Sequence, residues 1–377
     1  MILVVFGTRP EAIKMAPIIK KIDSCDLPYA VCNTGQHKEM LEGILDFFEI
    51  KPDFNLDVMS SKQSLATMLA RIIERISILI EKLSPSIVLV HGDTLTCTAV
   101  TLASYYLNVP VGHVEAGLRT GNLQHPWPEE MNRKIVGQMA TINFCPTKIA
   151  YENLLSEGID SSTCHIVGNS IVDAFKLAAK KVKENQNINE CVVKSLKFKG
   201  IDENKFSKLI IATAHRRENI DKGIESICKS LIEITKKEKD TLIVFPVHQN
   251  PNVRQKVKLS LDGHERVVLT DHLSYGELTY LLLKCRLVIT DSGGIQEEAL
   301  VANVPVLVTR LVTERPEALG HPLSKLVGTN PRCITEHALY VLNQSETGIK
   351  VCDKGLGGGN TAELIVDILI RFMGKRS

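Results

Sequence analysis

Short runs of wholly apolar residues alternate along this chain with longer stretches whose apolar residues recur every three to four positions. Ile2–Phe6, Tyr29–Asn33, Ile87–His91, Val109–Val114 and Thr141–Cys145 are the short runs of the first half, and each has strand length. Between them Glu11–Ile22, His37–Phe48, Ser64–Leu83 and Thr96–Leu107 have the spacing of amphipathic helices. A strand with one wet face alternates apolar and polar residues, whereas a strand covered on both faces need not. Apolar strands joined by helices therefore predict a parallel sheet with helices on each side, an α/β architecture.

The pattern then repeats. Lys208–Thr213, Leu242–Val247, Val267–Thr270, Leu287–Thr290 and Val304–Val308 read as strands, with helices at Ile224–Lys237, Tyr275–Leu283 and Ile295–Leu300. A chain of 377 residues exceeds one typical core. We expect two Rossmann-like doubly wound domains in tandem, with the junction near Gly168–Asp173. Lys176–Lys199, rich in Lys, Asn and Glu, is expected to be an amphipathic connector followed by a polar loop. Gly355–Gly359, with four glycines in five residues, is expected to be a flexible hinge before an amphipathic tail helix, Asn360–Met373. Ligands of such sheets bind beyond the carboxyl ends of the strands, so a cleft between the two domains is the expected site.

Composition narrows the partners. A formal charge of +2 and only 5% aromatic residues argue against a generic nucleic-acid binder. The ten cysteines are scattered, contain no Cys-x-x-Cys pair and fit reduced thiols. The apolar start reaches Arg9 at once, unlike a secretory signal, and no run of about 20 apolar residues exists to cross a bilayer. A soluble cytoplasmic protein with no membrane partner is expected. The histidines do not stand in ligand spacing with Cys or Asp, so no catalytic zinc or other metal is expected.

Polar chemistry gathers at the strand ends. After Val109–Val114, the stretch His113–Arg133 carries Glu115, Arg119, Glu129, Glu130 and Arg133, broken by two glycines and two prolines around the sole tryptophan, Trp127. Such a cluster marks either a ligand site or a salt-bridged loop. His91-Gly92-Asp93-Thr94 ends another strand, where Asp93 is either a helix cap or a second carboxylate at the same sheet edge. Gly7-Thr8-Arg9-Pro10-Glu11 follows the first strand. Arg9 and Lys14 either face an anion at the helix start or are solvated. It lacks the three glycines of a dinucleotide fingerprint. In the second half, Asp291-Ser292-Gly293-Gly294-Ile295-Gln296-Glu297-Glu298 suits phosphate at a helix N-terminus with Glu298 on a ribose, or is an ordinary turn capped by Asp291 or Ser292. His215-Arg216-Arg217-Glu218-Asn219 suits a diphosphate or forms a basic turn, and His248 ends a similar strand.

Together with Thr34-Gly35-Gln36-His37, Pro126–Arg133 and Thr313–Glu317, these motifs resemble the non-hydrolysing UDP-N-acetylglucosamine 2-epimerases, in the family's order over nearly the whole chain. The resemblance implies a glycosyltransferase B type fold whose last helix returns to the first domain. The domains would be 1–169 with 361–377 on the sugar side, and 170–360 on the UDP side. It implies interconversion of UDP-GlcNAc and UDP-ManNAc without cofactor, by a homodimer that supplies surface polysaccharide. A hydrolysing epimerase and a transferase of the same fold are the alternatives.

The same resemblance assigns residues. Asp93, Glu115 and Glu129 would be the carboxylates near the sugar, with Arg133 and His215 beside them. Asp93 and Glu115 would form the acid–base pair, and His215 would serve the leaving phosphate. Arg9, Lys14, Ser292, Gly293, Gly294 and Glu298 would hold UDP. An activating second UDP-GlcNAc would meet Gln36, Glu39, Lys62, Glu129, Arg216 and His248. Glu39 and Lys62 replace the family's glutamine and arginine there, and lysine lacks arginine's forked geometry. Arg310-Leu311-Val312 and Val351–Asn360 also depart from the family pattern.

Overall fold

The structure, a computed structural model, describes residues 1–36, 38–60, 63–216, 219, 223–248, 250–310, 321–344 and 357–374; the side chains of 38–40 and 203 are left aside. The chain divides into two compact units. Unit 1 is Met1–Ala174 with Leu356–Ser377, and unit 2 is Phe175–Gly355.

Unit 1 runs β1 (Ile2–Phe6), α1 (Arg9–Ser24), β2 (Tyr29–Asn33), α2 (Lys38–Phe48), β3 (Phe54–Asn55), α3 (Leu65–Leu83), β4 (Ile87–His91), α4 (Leu95–Tyr106), β5 (Val111–Val114), α5 (Glu129–Met139), β6 (Ile142–Cys145), α6 (Lys148–Ser156) and β7 (Cys164–Ile166), then enters α7 (Ser170–Glu184). Its seven strands lie in the order β3-β2-β1-β4-β5-β6-β7, all pairs parallel. β1 and β4 are buried along their whole length at the centre, which is why they read as unbroken apolar runs. One face packs on α3 and α4 through Ile72, Ile76, Val88, Val90, Ala99 and Val100. Each Ile or Val fully buried there contributes about 1.5–3 kcal/mol. Serine and threonine set the helix starts: the side chains of Ser64, Thr94 and Thr147 accept the N–H of Thr67, Cys97 and Ala150.

Unit 2 runs α8 (Gln186–Phe198), β8 (Lys208–Thr213), α9 (Gly223–Lys237), β9 (Thr241–Pro246), α10 (Pro251–Leu261), β10 (Val267–Thr270), α11 (Tyr275–Leu282), β11 (Leu287–Thr290), α12 (Gly293–Val301), β12 (Val306–Val308), β13 (Ser324–Leu326) and α13 (Pro331–Leu342). The sheet order is β10-β9-β8-β11-β12-β13, again parallel throughout. Its core joins Ile210, Ile227, Leu231, Ile243, Phe245, Ile289 and Leu307. The tail helix, α14 (Thr361–Gly374), belongs to unit 1, where it packs on α1 and the Ala362 N–H donates to Asp173.

The polar loop expected after the connector is instead α8. Asn185 caps it, Val192 and Leu196 bury its apolar side, and Lys199 beyond it pairs with the buried Glu277 at 2.6 Å. Only a few apolar positions face inward, so the polar composition hides the helix. Short edge strands were likewise illegible: β3 has two residues, and β7 and β13 carry His, Ser and Lys because an edge buries less of its surface. In the glycine run, 355 and 356 lie outside the described residues. Gly357 lies against Gly168, where a Cβ would come within 2.9 Å of the neighbouring Cα.

Gly117, in the stretch after β5, combines φ +87° with contact so close that a Cβ would stand 2.1 Å from the Ala150 carbonyl oxygen. Gly121, at φ +76°, has nothing within 4 Å of that point. Gly117→Ala should cost upwards of about 3 kcal/mol or abolish folding, because backbone must move as well as strain. Gly121→Ala should cost only about 1–2 kcal/mol. Denaturant titration of both variants checks the difference.

Candidate active site

In unit 1 the chain leaves β1 toward β2 on one side, while β4 lies on the other. The chain reverses direction across the sheet at this switch point, and ligands of doubly wound sheets bind at such a carboxyl edge. Gly7–Arg9, Gly92–Thr94 and Glu115 sit there because they directly follow β1, β4 and β5.

Glu115 adopts φ +64°, a left-handed conformation that costs a non-glycine residue about 1–2 kcal/mol. Strain of this kind concentrates at functional sites. Its carboxylate is ion-paired with Lys14, itself buried in α1, and His91 Nε2 stands 3.9 Å away. Lys14, expected on the nucleotide, thus meets the central carboxylate of this edge. Asp93 does not cap α4; Thr94 does. The Asp93 carboxylate instead receives the Arg133 guanidinium, and its carbonyl accepts Asn132 Nδ2 at 2.8 Å. Asp93 and Glu115 at this edge are therefore each paired with a buried cation.

The stretch His113–Arg133 proves to be both things its charge allowed. Arg119 belongs to a structural ion pair, donating to both oxygens of Glu157 at 2.9 and 2.7 Å. Glu130, which sequence reasoning left without a role, is fully buried at the start of α5. It accepts the N–H groups of Thr120 and Gly121 at 3.0 Å each, and it pairs with Arg133 at 3.2 Å. One residue thus holds the loop and the arginine that holds Asp93. The Glu130–Arg133 spacing of three on a helix was the available signal. Glu129 opens α5 half-buried. Trp127 is exposed between two cis prolyl bonds.

Glu11 is a second residue that sequence reasoning passed over. It is the N3 member of a capping box with Thr8, a pattern readable as Thr-x-x-Glu. Its carboxylate accepts the Gly7 and Thr8 N–H groups, the Thr8 hydroxyl and, from the β4 turn, the Thr94 hydroxyl at 2.7 Å. Burial pushes it up to about 7 despite those bonds. Arg9 is half-buried at the start of the same helix.

Unit 2 repeats the plan at the switch point between β8 and β11. Asp291, fully buried, accepts the N–H groups of His215 and Arg216 and the side-chain amide of Asn219, and faces His215 Nδ1 at 3.1 Å. Burial alone raises a carboxylate, but these donors outweigh it and hold Asp291 below its ordinary range. The ring of His248, from the β9 end, stacks on that of His215 at 5.4 Å and 12°. Ser292 is the N-cap of α12 but makes no side-chain cap bond, and Glu298 is buried within that helix. Among the described residues a Cβ on Gly294 would meet nothing within 4 Å, and its φ is not left-handed.

Of the residues expected at a second nucleotide-sugar site, Gln36 accepts the Thr96 hydroxyl in unit 1, while Arg216 and His248 belong to unit 2. The Glu39 side chain, Lys62 and Thr313–Glu317 lie outside the described residues. No group of three or more His, Cys, Asp or Glu among the described residues is arranged to hold a metal ion.

Burial pushes the imidazoles of His91 and His113 down to about 4, and His113 Nε2 donates to the Gly92 carbonyl at 2.8 Å as a neutral ring. A histidine depressed from 6.5 contributes stability that is complete above pH 6.5 and is lost as pH falls toward 4. Glu11, raised from 4.5, has the opposite sign: its contribution is complete below pH 4.5 and is lost as pH rises through about 7. Denaturant midpoints should therefore fall between pH 6.5 and 4.5, less steeply in His113→Asn and more steeply in Glu11→Gln.

Comparison with known proteins accords with this arrangement. A family model described as UDP-N-acetylglucosamine 2-epimerase matches residues 20–370. The UDP-N-acetylglucosamine 2-epimerase of Campylobacter jejuni is 42% identical over 381 aligned residues, covering 100% of this chain and 99% of its own. The crystal structure of UDP-GlcNAc 2-epimerase from Neisseria meningitidis bound to UDP-GlcNAc superposes with a TM-score of 0.91 at 41% identity, covering 98% and 99%. S. aureus MnaA, in a co-structure with UDP, superposes at 0.88 with 38% identity, covering 99% and 96%. With two parallel α/β sheets and matches of this extent, the chain belongs to the UDP-N-acetylglucosamine 2-epimerase family.

Proposed function

We propose that the chain interconverts UDP-GlcNAc and UDP-ManNAc by elimination and re-addition of UDP, without hydrolysis. The observation that carries this reading is the pair Asp93 and Glu115. They are two carboxylates at the carboxyl ends of adjacent strands, each paired with a buried cation. The proton on C2 of the sugar has no neighbouring carbonyl to acidify it, so simple abstraction is too slow. Loss of that proton to a base as the C1–O bond to UDP breaks gives 2-acetamidoglucal and UDP. Protonation of the opposite face of C2, with UDP returning to C1, gives the epimer. The step requires one base and one acid, hence two carboxyl groups rather than one.

Lys14 and Arg133 support this chemistry by orienting the carboxylates and offsetting their burial. Glu129 lies beside them at the start of α5 in the same reading. Unit 2 takes UDP: Ser292, Gly293 and Gly294 at the start of α12 receive the diphosphate, Glu298 the ribose, and His215 the charge that develops on the leaving group. Arg9 adds a cation to the diphosphate. No described residue stands within 4 Å of a Cβ on Gly294, which supports that assignment, since a ligand's close approach is what glycine there would serve. The residues Gln36, Glu39, Lys62, Glu129, Arg216 and His248 are retained as an activating second site for UDP-GlcNAc. The enzyme acts in the cytoplasm and its product supplies surface polysaccharide; no helix among the described residues is long and apolar enough to cross a membrane. It works as a homodimer, and the exposed Ile78, Tyr105 and Tyr106 on the neighbouring helices α3 and α4 offer apolar surface for a second copy.

Incubation with UDP-GlcNAc in heavy water, followed by NMR, tests the reaction. Deuterium should enter C2 as UDP-ManNAc appears. Accumulation of UDP with free sugar one-for-one would sink the non-hydrolysing reading, and a requirement for an added acceptor would favour a transferase. Asp93→Asn and Glu115→Gln should each slow exchange about 10²–10⁴-fold while UDP still binds. Gly294→Ala should leave stability unchanged and weaken UDP roughly tenfold, the size of one lost charged hydrogen bond, by calorimetry.

A further inference from the structure

We propose that Asp291 is a positioning residue for catalysis: it fixes the His215 imidazole with its Nδ1 proton turned inward, so that Nε2 is the nitrogen that meets the leaving diphosphate. This rests on the reading of His215 given above.

The geometry carries the argument. Asp291 is fully buried at the end of β11, and one of its oxygens lies 3.1 Å from His215 Nδ1. A carboxylate held ionised can only accept, so the imidazole must donate from Nδ1. The same carboxylate accepts the backbone N–H groups of His215 and Arg216 at 2.9–3.1 Å, so the ring and the turn that carries it are held by one group. Asn219 Nδ2 braces the arrangement, donating to Asp291 at 2.8 Å and to the Thr309 carbonyl at 3.1 Å. Those contacts tie the ends of β8, β11 and β12 together.

His248 closes the second face of the ring. Its Nδ1 accepts the Asn250 N–H at 3.1 Å, which leaves its own proton on Nε2 and makes it a neutral stacking partner. Burial, followed by the nearby His215 charge, pushes His248 down, so a shared site favours one cationic ring and not two. Among the described residues, the charged or titratable groups around His215 are Asp291 from β11, His248 from β9 and Arg216 on its own turn. With Nδ1 taken by Asp291 and one face taken by His248, 31% of the His215 side chain stays exposed. A plain turn cap would need neither the ring contact nor the stack.

The test begins with the wild-type chain labelled with ¹⁵N-histidine. Two-bond ¹⁵N–¹H correlation should show neutral His215 protonated on Nδ1, against the Nε2 preference of a free imidazole. A wild type that epimerises UDP-GlcNAc but carries the His215 proton on Nε2 overturns the inference and leaves the reaction standing. A wild type that turns over no UDP-GlcNAc overturns the reading beneath it, whatever the tautomer. In Asp291→Asn the Nδ1 preference should weaken, because an amide can turn its N–H to the ring as readily as its oxygen. The kcat of that variant should fall at least tenfold while KM changes little. An unchanged kcat in a folded Asp291→Asn protein also overturns the inference. If that variant does not fold, the wild-type tautomer decides alone. His248→Phe, which keeps a stacking face, should preserve the Nδ1 tautomer; loss of it would show that His248 and not Asp291 sets the ring.

Discussion

A buried carboxylate that collects peptide N–H groups at the switch point of a parallel sheet is the interaction on which each unit depends. In unit 1 it is Glu11, which joins the turn after β1 to Thr94 in the turn after β4. In unit 2 it is Asp291, which joins the turn after β8 to the end of β11. Strand ends that diverge leave N–H groups without ladder partners, and a carboxylate satisfies several at once. The two units reach the same solution from different positions. Glu11 comes from the helix after the first strand, whereas Asp291 comes from the end of the partner strand.

Around that frame, charge is placed in matched pairs. Lys14 meets Glu115, and Arg133 meets Asp93 while itself held by Glu130. Leaving any of these groups buried without its partner would cost several kcal/mol, roughly 3–5. The pairs therefore orient the carboxylates and offset the cost of burying them. His91 and His113 are buried near them, and burial holds both rings in their neutral form.

The alternation of apolar runs made both sheets legible, because central parallel strands are buried on both faces and cannot vary their pattern. The edges escaped for the opposite reason: β3, β7 and β13 are short and partly polar. Helix α8 escaped because few of its residues face a core. At the site, the charged residues themselves stood out, but their pairing did not. Arg119 and Arg133 look alike in the sequence, yet one braces Glu157 and the other holds Asp93. Glu130 and Glu129 both stand at helical spacing from Arg133, and burial against two backbone N–H groups separates them.

What the sequence determined by itself is the periodicity and the order of motifs: two α/β halves, polar residues at strand ends, and the likeness to a family. Those features are local, each set by spacing within a few turns of chain. What only the tertiary structure decided is which charges meet. Lys14 and Glu115 lie 101 positions apart, and His215 and Asp291 lie 76 apart. Their contacts exist because parallel strand order brings distant strand ends to one edge, and no local pattern encodes that order. The same placement turned the stretch His113–Arg133 into a divided element, with Arg119 in the scaffold and Glu115 strained at the edge beside its lysine.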